Sequence, residues 1–254
     1  MDTILKEQAA RALALLDLTS LNDTDTEETV KTLCAKAHGE FGHTAAVCIW
    51  PRFVKLAKEE LKGTPVRVAT VVNFPHGGTD IEATVAETKQ AIADGADEID
   101  VVLPYKAFMD GDTACAKALL DATRKACAGK TMKVIIESGV LAHANTIAEA
   151  SRLSIACGAD FIKTSTGKTP VSATLEAANV MLEVIRESGK PVGFKASGGV
   201  RSTEQAADYM TLADKIMGPK WISLMTFRFG ASGLRDSLLA SMGYGQAPAD
   251  NKGY

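Results

Sequence analysis

The sequence predicts a single-domain (β/α)₈ barrel, and three observations lead there. Short apolar runs rich in β-branched residues recur eight times, at intervals of roughly 30 residues, with helix-patterned stretches between them. The chain has 254 residues, close to the ~250 typical of this architecture. Two segments, "ADGADEIDVVLPY" and "ACGADFIKTST", echo each other at an offset of 63 residues, which is two βα units. A doubly wound sheet is the structural rival, because the strand count read from one sequence is uncertain.

Taken in order, the expected strands are "LLDLTSL" near 15, "TAAVCIW" near 46, "VRVATVVNF" near 69 and "EIDVVLPY" near 100, then "MKVIIESG" near 135, "DFIKTST" near 162, "PVGFKASG" near 193 and "TFRFGAS" near 228. The stretch "SATLEAANVMLEVIRESG" shows the helical pattern that should separate them, and Gly95, Gly158 and Gly189 stand where helices should end before the next strand. The barrel is expected over residues 1–242. The Gly, Pro and polar composition of 243–254 reads as a flexible tail ending in Tyr254.

Composition narrows the function classes. A net charge of -3 without blocks of like charge gives no footprint for nucleic acid or an anionic membrane. The start "MDTILKEQAARALALLDLTSLND" is broken by charges and lacks a signal-peptide core, and no run of 18 apolar residues follows. Five cysteines without a C-x-x-C pair suit reduced thiols and a cytoplasmic location. The four histidines are scattered without ligand spacing, so no metal is expected.

The chemistry is suggested by charge where a buried strand should have none. Lys163 follows Phe161 and Ile162. The internal repeat aligns it with Asp100 on the fourth strand, and Lys195 stands toward the end of the seventh. Each charge alone could face solvent or belong to a structural ion pair. Three together at the strand tops, where active sites of this fold sit, point to one cavity. Two close lysines disfavour each other's charge, and burial adds to the effect, so one can be a neutral amine near pH 7. Such an amine forms a Schiff base with a carbonyl, an electron sink for carbon-carbon bond cleavage, while Asp100 moves protons through water.

Small residues after strands seven and eight, Gly198-Gly199 and Ser232-Gly233, suit a phosphate held by backbone N–H groups; ordinary tight turns are the alternative. "STGKT" is not a P-loop, because position 162 is Ile where that motif needs Gly. Lys168 is either a substrate contact or a solvated loop charge.

With "LDLTSLND", "TAAVCIWPRF", "VVNFPHG", "GADEIDVVLPY", "VIIESG", "GADFIKTSTGK", "GFKASGGVR" and "RFGASG" in this order, the chain resembles the deoxyribose-phosphate aldolases, a class I aldolase family, over nearly its whole length. The resemblance implies reversible cleavage of 2-deoxy-D-ribose 5-phosphate into D-glyceraldehyde 3-phosphate and acetaldehyde, without metal or organic cofactor. It implies that Lys163 is the Schiff-base lysine, Lys195 the second lysine and Asp100 the proton relay. Gly198-Gly199 and Ser232-Gly233 would hold the phosphate, although some relatives have a serine pair at the latter. Thr19, Cys48 and Thr166 line the pocket or merely pack. Tyr254 would visit the site from the tail, a tail without function being the alternative, and since family members are often dimers a homodimer is a candidate assembly, with no interface legible in the sequence. The competing readings are an isomerase or transaldolase-like enzyme on the same scaffold, and a non-catalytic protein that binds a phosphorylated ligand.

Overall fold

The computed structural model describes residues 3–245, so Tyr254 and most of the expected tail lie outside the described residues. Eight parallel strands form the barrel: β1 Leu16–Thr19, β2 Ala46–Ile49, β3 Arg67–Val72, β4 Glu98–Val102, β5 Thr131–Ile135, β6 Phe161–Lys163, β7 Gly193–Ser197 and β8 Phe227–Ala231. Each pairs with its sequence neighbours, and β1 pairs with both β2 and β8. That closure excludes the doubly wound sheet. All eight strands coincide with the apolar runs in the sequence.

Local chemistry starts and stops the helices as anticipated. Thr174 caps Leu175–Ser188 through a bond from the Ala177 amide, and Gly189 ends it at φ 61°. Gly95 and Gly158, at φ 106° and 83°, turn the chain toward β4 and β6. The sequence pattern did not signal helix Thr3–Ala14, which precedes β1, buries Ala9, Ala12 and Leu13, and pairs Arg11 with Asp214.

The main apolar core lies between the strands and the outer helices. A separate small cluster, Leu21, Ala46, Cys48, Ala69 and Val71 with Trp50 and Phe74 against it, occupies the inner wall at β1–β3. Charged side chains fill the rest of the interior. Phe161, buried two residues before Lys163 on the same face of β6, has the Arg228 guanidinium 5.5 Å from its ring centre. Its place depends on Gly193, since a Cβ there would sit 2.4 Å from the Phe161 ring. We therefore expect Gly193→Ala to destabilise the fold by about 1–3 kcal/mol through overpacking, read as a lower urea midpoint at unchanged m-value.

Candidate active site

Strand alternation turns Asp17, Glu98, Asp100, Lys133, Lys163, Lys195 and Arg228 inward, and all seven are buried. They form one network. Asp100 Oδ2 accepts from Lys163 Nζ at 3.0 Å and from Lys195 Nζ at 2.9 Å. Its Oδ1 accepts from Lys133 Nζ at 2.7 Å. Lys195 also donates to Asp17 Oδ2 at 2.6 Å, and Lys133 lies 2.6 Å from Glu98 Oε2. Arg228 bridges Asp17 and Glu98 at 2.7 and 2.9 Å. Arg67, partly exposed at the start of β3, reaches Glu98 at 3.1 Å.

The balance of charge within this network decides its chemistry. Three carboxylates face Lys133, Lys195 and Arg228, each of which holds two of them within bonding distance. Lys163 is a fourth cation whose ion pair, among the described residues, is with Asp100 alone, and it shares that oxygen with Lys195. A buried charge needs full compensation. Lys163 therefore gains most from losing its proton.

The titration tendencies agree. Burial, then Lys195, pushes the Lys163 amine below its ordinary value despite the pull of Asp100. Burial acts the same way on Lys195, but Asp100 and Asp17 reverse it and hold that ammonium well above the usual range. Lys133 is also raised, by Asp100 and Glu98 against burial. Burial opposes the charge on Asp100, but Lys133, Lys195 and Lys163 outweigh it and keep the carboxyl well below the carboxylate range. The interior thus contains one amine pushed toward neutrality among firmly fixed ions, which suits nucleophilic attack on a carbonyl.

Comparison with known proteins agrees with this geometry. Residues 11–240 match the model of the DeoC/LacD family aldolases. The chain belongs to that family. A deoxyribose-phosphate aldolase of Agrobacterium fabrum is 52% identical over 98% of this chain and 97% of its own. Two crystal structures, of proteins provisionally assigned the same activity, share the architecture. The one from Coccidioides immitis is 32% identical, with a TM-score of 0.79 over 89% of this chain and 83% of its own. The one from Toxoplasma gondii is 25% identical, with a TM-score of 0.86 over 97% and 100%.

Within this family fold, the three residues singled out in the sequence do meet, but not all at the strand tops. Lys163 ends β6, whereas Asp100 and Lys195 sit mid-strand, so the cluster lies inside the barrel. Gly230 makes room for it, because a Cβ there would come within 2.9 Å of Lys195 Cε and 2.6 Å of Ser197 Oγ. Sequence reasoning missed Asp17, Glu98, Lys133 and Arg228. The same signal, a charge inside an apolar run, was available for each.

The other expected pocket residues fall into two groups. Thr19 ends β1 with its hydroxyl on the Asp17 carbonyl, and Cys48 belongs to the inner apolar cluster, where burial raises its thiol pKa. Both stand on inward-facing positions, Cys48 near enough to Lys195, Asp100 and Lys163 for their charges to act on its thiol, so each belongs to the wall that encloses the lysines. The loop after β6 carries Thr166 and Lys168, and Lys168 Nζ crosses the mouth to donate to the Leu21 carbonyl at 2.6 Å. Gly198 and Gly199 turn at φ 77° and 85° just before helix Thr203–Met217. The Gly198 amide bonds the Gly230 carbonyl, which sets this turn beside Ser232 and Gly233 at the start of helix Leu234–Met242. The two candidate phosphate turns are therefore neighbours.

A further residue, Glu137, was not foreseen. It is buried just past β5 in the left-handed region at φ 56°, ψ 56°, a conformation that costs a residue with a Cβ about 1–2 kcal/mol. Its carboxylate accepts from the Thr166 amide at 3.2 Å, the Thr166 hydroxyl at 2.5 Å and the Thr169 hydroxyl at 3.3 Å. Burial raises its pKa against these bonds. Among the described residues, no group of three His, Cys, Asp or Glu side chains could hold a metal ion, and no helix is long and apolar enough to cross a membrane.

Proposed function

We propose that the chain cleaves 2-deoxy-D-ribose 5-phosphate reversibly into D-glyceraldehyde 3-phosphate and acetaldehyde through a Schiff base on Lys163. The observation that carries this reading is the buried Lys163 amine, paired among the described residues with Asp100 alone and sharing that partner with Lys195. The 52% identical relative bears the name of this activity.

In the reaction, the neutral Lys163 amine adds to the C1 aldehyde of the open-chain sugar, and water leaves to give an iminium ion. Loss of the C3 hydroxyl proton then drives cleavage of the C2–C3 bond. The bonding electrons pass to the iminium, leaving an enamine and releasing glyceraldehyde 3-phosphate. A proton added at C2 regenerates the iminium, and hydrolysis frees acetaldehyde and Lys163. A carboxylate as firmly ionised as Asp100 is a weak base. Its part is to orient the two lysines and a water that accepts the C3 hydroxyl proton during cleavage and delivers a proton to C2 of the enamine. Gly198-Gly199 and Ser232-Gly233 hold the phosphate, and Thr166 and Lys168 line the mouth. The five cysteines, all free, suit a cytoplasmic location.

A coupled assay for both products from 2-deoxyribose 5-phosphate tests the activity. Folded protein that yields neither product overturns the proposal. The role of Lys195 has its own signature. With Lys195→Met, Lys163 loses a like-charged neighbour and keeps Asp100, so its pKa rises. Because the neutral form reacts, activity increases as pH rises through that pKa, and we expect the acid limb of kcat/KM to move about 1–3 units upward. An unmoved limb would remove Lys195 from this role.

A further inference from the structure

We propose that Glu137 is a positioning residue that fixes the loop after β6 over the barrel mouth, so that Thr166 and Lys168 are in place for the phosphorylated substrate. This rests on the aldolase reading above. Glu137 sits where the end of β5 meets the start of that loop: the Ile136 amide bonds the Lys163 carbonyl and the Ser138 amide bonds the Thr164 carbonyl. From there its carboxylate gathers the amide and hydroxyl of Thr166 and the hydroxyl of Thr169. The Thr166 hydroxyl oxygen in turn accepts from the Lys168 amide at 3.1 Å. A single buried side chain thus organises residues 166 to 169, and Lys168 extends from that frame across the mouth to Leu21.

The backbone supports a specific role. The left-handed conformation of Glu137 is one that glycine or asparagine would adopt at less cost. Asn73, just past β3, is also left-handed at φ 55°, and its side chain holds its own loop through Gly78 and the Val102 carbonyl at the end of β4. At β5 the position carries a glutamate instead, whose longer side chain spans to the next loop, around Thr166.

The test compares Glu137→Ala with Glu137→Gln, since glutamine keeps the shape and an accepting oxygen without the charge. For Glu137→Ala we expect KM for 2-deoxyribose 5-phosphate to rise about tenfold or more while kcat changes far less. The borohydride-trapped acetaldehyde adduct, which needs no phosphate contact, should still form. Glu137→Gln should recover most of the lost affinity. An unchanged KM in Glu137→Ala, or equal losses in kcat and KM accompanied by loss of the adduct, would overturn the proposal. Hydrogen exchange at the Thr166 and Lys168 amides keeps the claim separate from the aldolase reading. If the parent protein forms no adduct, the aldolase mechanism fails, yet Glu137 must still account for protection that drops in the alanine variant and returns in the glutamine variant.

Discussion

Lys163→Met is expected to lower kcat/KM for 2-deoxyribose 5-phosphate by about 10⁴-fold or more, because the variant has no nucleophile for the covalent step. Neither neighbouring lysine can substitute. Lys195 is held as an ammonium between Asp17 and Asp100, and Lys133 between Glu98 and Asp100, and a protonated amine cannot attack a carbonyl. The fold should survive the change. Removing Lys163 leaves three carboxylates facing three fully engaged cations, and methionine fills similar volume. We therefore expect a melting temperature equal to or above the parent's. A variant that lost activity by unfolding would show the opposite.

Lys133→Met should do the reverse, with a large loss of stability. It withdraws a cation from between Glu98 and Asp100, with Asp17 3.7 Å away. Removing one partner of a buried ion pair typically costs about 3–5 kcal/mol. The sign of the pH dependence identifies the cause. In the parent, Asp17, Glu98 and Asp100 are depressed, so their contribution is present above the unfolded carboxylate pKa and lost as pH falls through the lower folded values. Without Lys133 those depressions shrink. The stability gap between parent and variant should be widest near neutral pH and narrow on acidification, as measured by urea titrations at several pH values. A gap independent of pH would mean lost packing rather than uncompensated charge.

The barrel was legible because each strand is a short β-branched run ended by a small or polar residue, and because the echo around Gly95 and Gly158 set the register of β4 against β6. That register places Asp100 and Lys163 together from the sequence alone. It also contained Glu98, two residues before Asp100 and so on the same face, as well as Asp17, Lys133 and Arg228 in their own strands. These were passed over because a charge within a strand can face solvent, and only closure of the barrel turns all of them onto one axis. Depth was the other loss: strand alternation gives direction, but which rung a residue occupies depends on the stagger between strands, so Asp100 and Lys195 lie below the expected top. Glu137 had no sequence signal, since its role arises from a left-handed backbone and a contact with residues 29 positions away.

Of the three buried lysines in the barrel interior, Lys163 acts as the nucleophile in this mechanism. The most direct measurement is peptide-resolved mass spectrometry after incubation with acetaldehyde and borohydride. A single ethyl group is expected on Lys163, absent in Lys163→Met and retained at reduced yield in Lys195→Met. An ethyl group on Lys195 or Lys133, or no adduct on folded parent protein, would contradict it.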